Sequence, residues 1–435
     1  MRNILREMAS RHNVQCGDIH LFWRYPIDFE GTIIAVPYSS LHLIGFEYLN
    51  QGGMATQHPL HAAIARLQDI PQLSTLTDPT LHPHYYVDGG MIFKQSRLEH
   101  SLLTAAAMEI VLRINERSEE EVAHGVTAAL LHDAATVAGG DTMKMSASPG
   151  ELAEEMLLDH ILEEEDLRAC LDINHIDPER IKAVIRNQGR LGKVLNFVDR
   201  LAYTCKDAQA MHRSVQHNQP EEVRARFANL PGVYFEKGRE IAELLEAQPR
   251  LFDVLFDVCL DEEAVYVDNV DSAGHFLKLR ALMHRDLYMD PIAHLFEATL
   301  LRPHLKKLYQ QHQLSAEALL GWISQYRLEN TLADALGVYP YYMITQYFIN
   351  ELAKRDIWVE TCQPEEAARL KDVLQKQGRR IAAEENYMGG FDAGTDLLVK
   401  KDNLMPFRTA DPQMAQEIET IAEQVRNVRI YHERM

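Results

Sequence analysis

Residues 130–141 read LLHDAATVAGGD: an apolar run that ends on an adjacent histidine and aspartate, followed by small residues, two glycines and a further aspartate. The run Ala128 to Leu131 has the pattern of a helix burying one face. An imidazole and a carboxylate are costly to bury alone. His132 and Asp133 therefore predict either a hydrogen-bonding partner or a metal ion close by.

Reading outward, SEEEVAHGVTAALLHD (118–133) opens with Ser118 as a cap and three glutamates where a helix dipole favours anions. RLEHSLLTAAAMEIVLRI (97–114) carries apolar residues at helical spacing, with small residues that permit close helix approach. PERIKAVIRNQGRLGKVLNFVDRLAYTCKDAQAM (178–211) predicts a helix, a break at Gly189 to Gly192, and a second helix. SAGHFLKLRALMHRDLYMDPIAHLFEATLLRPHL (272–305) predicts one or two more, with Pro291 marking a boundary or kink. Before these, IHLFWRY (19–25) and GTIIAVPY (31–38) predict short strands or hairpins. After them the chain is expected to stay helical to its end, interrupted by the glycine-rich NYMGGFDAGTDLLVKKDNLMPFRT (386–409). The fold class is mainly α: a helical bundle over 58–310, preceded by a small β-containing segment (1–57) and followed by a helical region (311–435).

The 435 residues carry a formal net charge of -20, which argues against general binding to nucleic acid or anionic membrane. LRPHLKKLYQQH (301–312) is the nearest approach to a basic stripe, and it is short. Five scattered cysteines without C-x-x-C spacing fit a reducing compartment and no zinc knuckle. With no signal-like apolar run and no segment near about 20 apolar residues, a cytoplasmic protein is expected.

Four polar residues on apolar helices stand out in order: His100, His132, Asp133 and Asp199. Two imidazoles and two carboxylates make a mixed nitrogen and oxygen ligand set that suits Mn, Mg, Fe, Co, Ni or Zn. A single histidine on such a helix is usually a hydrogen-bonded core residue; the ordered set is the stronger signal.

The pattern H…HD…D with these flanks resembles the HD-domain metal-dependent phosphohydrolases. It is most similar to the branch of sterile-alpha-motif/HD deoxynucleoside triphosphate triphosphohydrolases and bacterial dGTPases. HPLHAAIARLQDIPQLSTL (58–76), YYVDGG (85–90) and RLEHSLLTA look like that branch's approach to its first metal histidine. VDRLAYTCKD (198–207) keeps its Asp, Tyr four later and Asp eight later, and LRALMHRDLY (279–288) looks like its late helix. The resemblance covers about 58 to 310.

It implies that His100, His132, Asp133 and Asp199 hold one divalent metal ion, and that Arg97 and Arg200 face substrate phosphates. It also implies that Tyr203 lies near a sugar, and that Arg280, His284 and Tyr288 form one substrate-gripping helix face. A homo-oligomer and a nucleotide or related phosphate ester as substrate follow from the same resemblance. The family's histidines after the HD pair fall here at Thr136 and Asp141, a further one falls at Gly150, and its glutamine beside the sugar falls at Thr80. Asp141 or Glu151 could take over as acid or base, since environment tunes carboxyl pKa. The alternatives left open are a substrate with a better leaving group and a nucleotide-binding regulatory or assembly protein without turnover.

Overall fold

A computed structural model describes residues 23–29, 32–37, 63, 64, 67, 86, 87, 90, 91, 97–140, 143, 154–215, 238–247, 251–261, 264–289, 294, 297–311, 325–337, 354, 355, 357–386 and 392–434. The chain is mainly α. The expected N-terminal strands are present as β1 (Trp23–Phe29) and β2 (Thr32–Pro37), an antiparallel hairpin. A two-residue ladder, β3 (Tyr86–Val87) with β4 (Gly90–Met91), precedes the first long helix.

That helix, α1 (Arg97–Ile114), packs on α2 (Glu119–Leu131). Ser118 does cap α2: its side chain accepts from the Glu121 amide, with Glu119, Glu120 and Glu121 in the first turn. Then come α3 (Glu154–Leu162), α4 (Glu165–Ile173) and α5 (Pro178–Ile185), the last capped by Asp177 with Pro178 at its start. The break predicted at the glycines falls just before them. Asn187 and Gly189 take positive φ (59° and 67°), and α6 runs from Gly189 to Val215. Gly192 lies inside α6, where a Cβ would stand 2.4 Å from the Asn187 carbonyl carbon.

After α7 (Arg239–Ala247), β5 (Val258–Leu260) and β6 (Val265–Val267) form a hairpin that leads into α8 (Val270–Met283). α8 continues directly into a π-helix, His284–Tyr288. A second π-turn (Glu297–Leu301), α9 (Arg302–Gln310) and α10 (Gln325–Leu336) follow. Pro291 lies outside the described residues.

The C-terminal segment adds strands where only helix was expected. β7 (Ile357–Cys362), α11 (Pro364–Lys376), β8 (Arg379–Asn386), β9 (Leu398–Lys400), β10 (Leu404–Pro406), α12 (Phe407–Ala410), α13 (Pro412–Glu423) and β11 (Val428–Arg434) alternate. β11 is central in the antiparallel order β7-β11-β8, covered on one face by α11. Charged residues alternate through these strands, as in ETC and EEN, which masked their β character.

This segment is part of the bundle's core. One hydrophobic cluster runs from Ala63 to Tyr431 and takes in Phe407, Ile418 and Ala422 against α8. β9 pairs in parallel with β6, Tyr266 opposite Leu398 and Val267 opposite Val399. Among the described residues no helix is long and apolar enough to cross a membrane.

Candidate metal centre and its polar surround

Three of the four anticipated ligands meet at one point. His100 on α1 is buried, and its Nε2 lies 2.8 Å from Asp199 Oδ1 on α6 and 3.2 Å from His132 Nε2. One ligand atom each from His100, His132 and Asp199 fits within a 4.8 Å span. His132 caps α2, where the C-terminal carbonyls lack helical partners. Its Nδ1–H donates to the Ala129 carbonyl at 2.7 Å, which fixes the tautomer and turns Nε2 toward His100.

Asp133, the next residue, faces the same point from farther off. Its Oδ2 is 3.7 Å from His132 Nε2 and 4.0 Å from His100 Nε2. A single nitrogen, Arg97 Nη1, donates to both of its oxygens at 2.9 and 3.0 Å, and Thr136 Oγ1 donates at 3.3 Å. Arg97, anticipated as a phosphate contact, thus reaches the site as the partner of Asp133.

The electrostatics favour a cation at the centre. Burial alone would lower the His132 imidazole, yet the Asp133 and Asp199 carboxylates outweigh it and raise its pKa to about 9. Burial opposes ionisation of Asp199, but hydrogen bonds from His100 and His132 hold it well below the usual carboxylate range. Asp133 is likewise opposed by burial and held low by Arg97, His132 and His100. Two imidazole nitrogens and a carboxylate oxygen that converge over about 3 Å repel one another unless positive charge sits among them. A proton on His132 meets that need; the donor set fits a divalent ion equally well.

Beside the centre runs an aromatic wall. The Tyr203 ring lies 6.3 Å from His100 and 5.7 Å, edge-on, from Tyr288, which in turn stands 5.0 Å from His284. Burial, then the charges of Arg280 and Arg200, push His284 down to about 2, so this imidazole is neutral. Arg200 is half-buried next to Asp199. Arg280 is buried at the end of α8 and donates from Nη1 to the Asp392 carbonyl at 2.6 Å. Arg280, His284 and Tyr288 follow one another at four-residue steps, the last two on a π-helix closed by Met289 N–H to His284 O at 2.9 Å. Such turns recur at functional sites.

One participant was not singled out from the sequence. Asp207 is buried on α6 and accepts the Tyr288 hydroxyl at 2.6 Å. Burial pushes its carboxyl up to about 7, against the Tyr288 hydrogen bond and Arg97. Its signal was the spacing: Asp199, Tyr203 and Asp207 recur every four residues and share one face of α6. Asp141, Glu151, Thr80 and Gly150 lie outside the described residues.

The fold is that of known structures. A hypothetical protein from Aquifex aeolicus superposes with a TM-score of 0.57 at 15% identity, over 92% of this chain and 93% of that one. A phosphohydrolase from Bacteroides thetaiotaomicron superposes with a TM-score of 0.57 at 14% identity, over 95% of this chain and 100% of that one. The shared fold therefore extends through the C-terminal strands and beyond the 58–310 of the sequence resemblance. No family model and no curated protein matches the sequence.

Proposed function

We propose that this protein is a metal-dependent phosphohydrolase whose substrate is a nucleotide or related phosphate ester, with deoxynucleoside triphosphates the first class to test. The observation that carries the reading is the convergence of His100 Nε2, His132 Nε2 and Asp199 Oδ1 beside the buried Arg97–Asp133 pair. The named activity of one structural neighbour supports it. A single divalent ion held there would supply Lewis acidity for transfer of a phosphoryl group to water.

The chain's own residues have distinct parts in this reading. Arg97 keeps Asp133 ionised and aimed at the two imidazoles. Arg200 and Arg280 offset charge that gathers on the phosphates, and a guanidinium suits that role because its planar fork matches phosphate oxygens. Tyr203 and Tyr288 offer ring faces and edges to the remainder of the substrate, and Asp207, largely protonated below pH 7, offers it a hydroxyl donor as well as an acceptor. Asp141 and Glu151 are the carboxylates to which this reading assigns proton transfer.

A second reading, nucleotide binding without turnover, is favoured by one observation. Thr136, which stands where the resembled family has an imidazole, is buried and bonded to Asp133, and its hydroxyl is no acid or base near neutral pH.

Protein purified without chelator and incubated with each deoxynucleoside and ribonucleoside triphosphate plus Mn or Mg separates the two by its products. Nucleoside plus tripolyphosphate, abolished in Asp199→Asn, supports the enzyme. Unchanged nucleotide that nonetheless raises the melting temperature overturns hydrolysis of these nucleotides and supports the binding protein or an enzyme for another phosphate ester.

A further inference from the structure

We propose that His294 and Glu385 are a positioning pair that sets Tyr288 against Asp207, making the C-terminal sheet a working part of the candidate site; the consequence for catalysis rests on the phosphohydrolase reading above.

The π-helix that carries His284 and Tyr288 ends at Tyr288, and carbonyls at a helix end need partners from outside the helix. The Tyr288 carbonyl is 2.9 Å from His294 Nε2. A carbonyl only accepts, so Nε2 carries the proton and Nδ1 points away from Tyr288. There it faces Glu385 Oε2 at 3.7 Å. Glu385 belongs to β8 and is largely buried; Arg302 at the start of α9 pairs with its other oxygen. The hydroxyl of Tyr431, wholly buried on β11, donates to Oε2 at 3.5 Å. From the centre of the C-terminal sheet, Glu385 thus faces His294 at ion-pair distance, attractive when Nδ1 also carries a proton, and His294 leads on to the backbone of Tyr288. The side chain of that same residue bonds Asp207 on α6, two helical turns from the metal ligand Asp199.

What makes this line more than packing is where it ends. The tethered carbonyl and the hydroxyl on Asp207 belong to one residue, so a shift of the Tyr288 backbone on loss of the tether moves the hydroxyl relative to Asp207. The same segment is held elsewhere by the C-terminal region: the Asp392 carbonyl on Arg280 and β9 paired with β6. Gly394 takes φ +74°, which favours glycine, and a Cβ there would crowd Leu277 Cδ2 at 3.0 Å.

The test uses two variants of the full chain, His294→Phe, which leaves the Glu385–Arg302 pair intact, and Glu385→Gln. Each is labelled with 13Cζ-tyrosine, and the Tyr288 resonance is assigned by its disappearance in Tyr288→Phe. We expect that resonance to move in both variants, metal content to match the wild type, and kcat/KM to fall about tenfold to a hundredfold, the scale on which a displacement of ~1 Å acts. An unmoved Tyr288 resonance in both overturns the positioning. A moved resonance with undiminished kcat/KM overturns its part in the reaction. If the resonance moves while the wild type hydrolyses no phosphate ester, the positioning stands and the phosphohydrolase reading fails.

Discussion

The Nε2 atoms of His100 and His132 stand 3.2 Å apart, each presented by a different helix, with Asp199 Oδ1 2.8 Å from the first. Such an arrangement is held together by a proton shared among these atoms or by a bound cation. Protein stripped with chelator and then given a divalent ion at about 100 times its Kd should gain about 2.7 kcal/mol of stability. In His132→Ala and Asp199→Ala the gain should vanish, as read by calorimetric melting and by metal analysis. Full occupancy in either variant would show that the centre lies elsewhere.

Arg97 and Asp133 are buried together, and removal of one partner strands the other's charge. Arg97→Ala should cost about 3–5 kcal/mol, the range for breaking a buried pair. Asp133→Asn, which leaves the cation, should also destabilise the fold and weaken metal binding. Urea denaturation of the metal-free and metal-loaded proteins distinguishes the two effects; a loss under 1 kcal/mol for Arg97→Ala would mean that water reaches the pair.

Asp207 lends the fold a pH dependence of known sign. Its folded pKa of about 7 lies above the ordinary carboxyl value, so the folded state keeps a proton that the unfolded state has already lost between about pH 4 and 7. The stability it contributes is fully present below about pH 4 and is lost as pH rises through 7. Asp207→Asn retains an acceptor for the Tyr288 hydroxyl without the charge, and should raise stability more at pH 8 than at pH 5, by up to about 2.7 kcal/mol, read as a larger gain in melting temperature. An equal shift at both pH values would sink this account.

Gly192 permits the approach of α6 to the Asn187 backbone, and a Cβ there would lie 2.4 Å from a carbonyl carbon that has nowhere to move. Gly192→Ala should destabilise by about 1–3 kcal/mol, although alanine favours helix in isolation by up to about 1 kcal/mol. A stabilised variant would show that the turn before α6 is free to shift.

Much of the site was legible from residue order because its parts sit on long helices with strong local signals. Ser118 with its glutamates, the small-residue face of α1, and His132–Asp133 at the end of an apolar run are local statements, and the structure keeps them. The spacing Asp199, Tyr203, Asp207 also fixed a face, since helical geometry makes four-residue steps neighbours.

Two features depended on tertiary contact. Arg97 reads as a cation awaiting an anion; that the anion is Asp133, 36 residues away, is a consequence of how α1 packs on α2. The strands β7, β8 and β11 carry too many charges for a periodicity reading, because their polar residues are satisfied across the sheet, as where Glu433 meets Arg355 and Arg380. Local sequence cannot show a pairing whose energy comes from residues 50 or more positions away.

The amino-acid order by itself determined the mainly helical bundle, which follows from periodicities of a few residues, and its resemblance to a known family pointed to His100, His132, Asp133 and Asp199 as one set. Only the tertiary structure decided that Asp133 stands slightly back under Arg97, that Asp207 is a buried acid on the same wall, and that His294, on the Tyr288 carbonyl, faces Glu385 from the far end of the chain. Those relationships arise from side chains brought within 4 Å by packing, where burial, rather than sequence neighbourhood, sets each charge and each hydrogen bond.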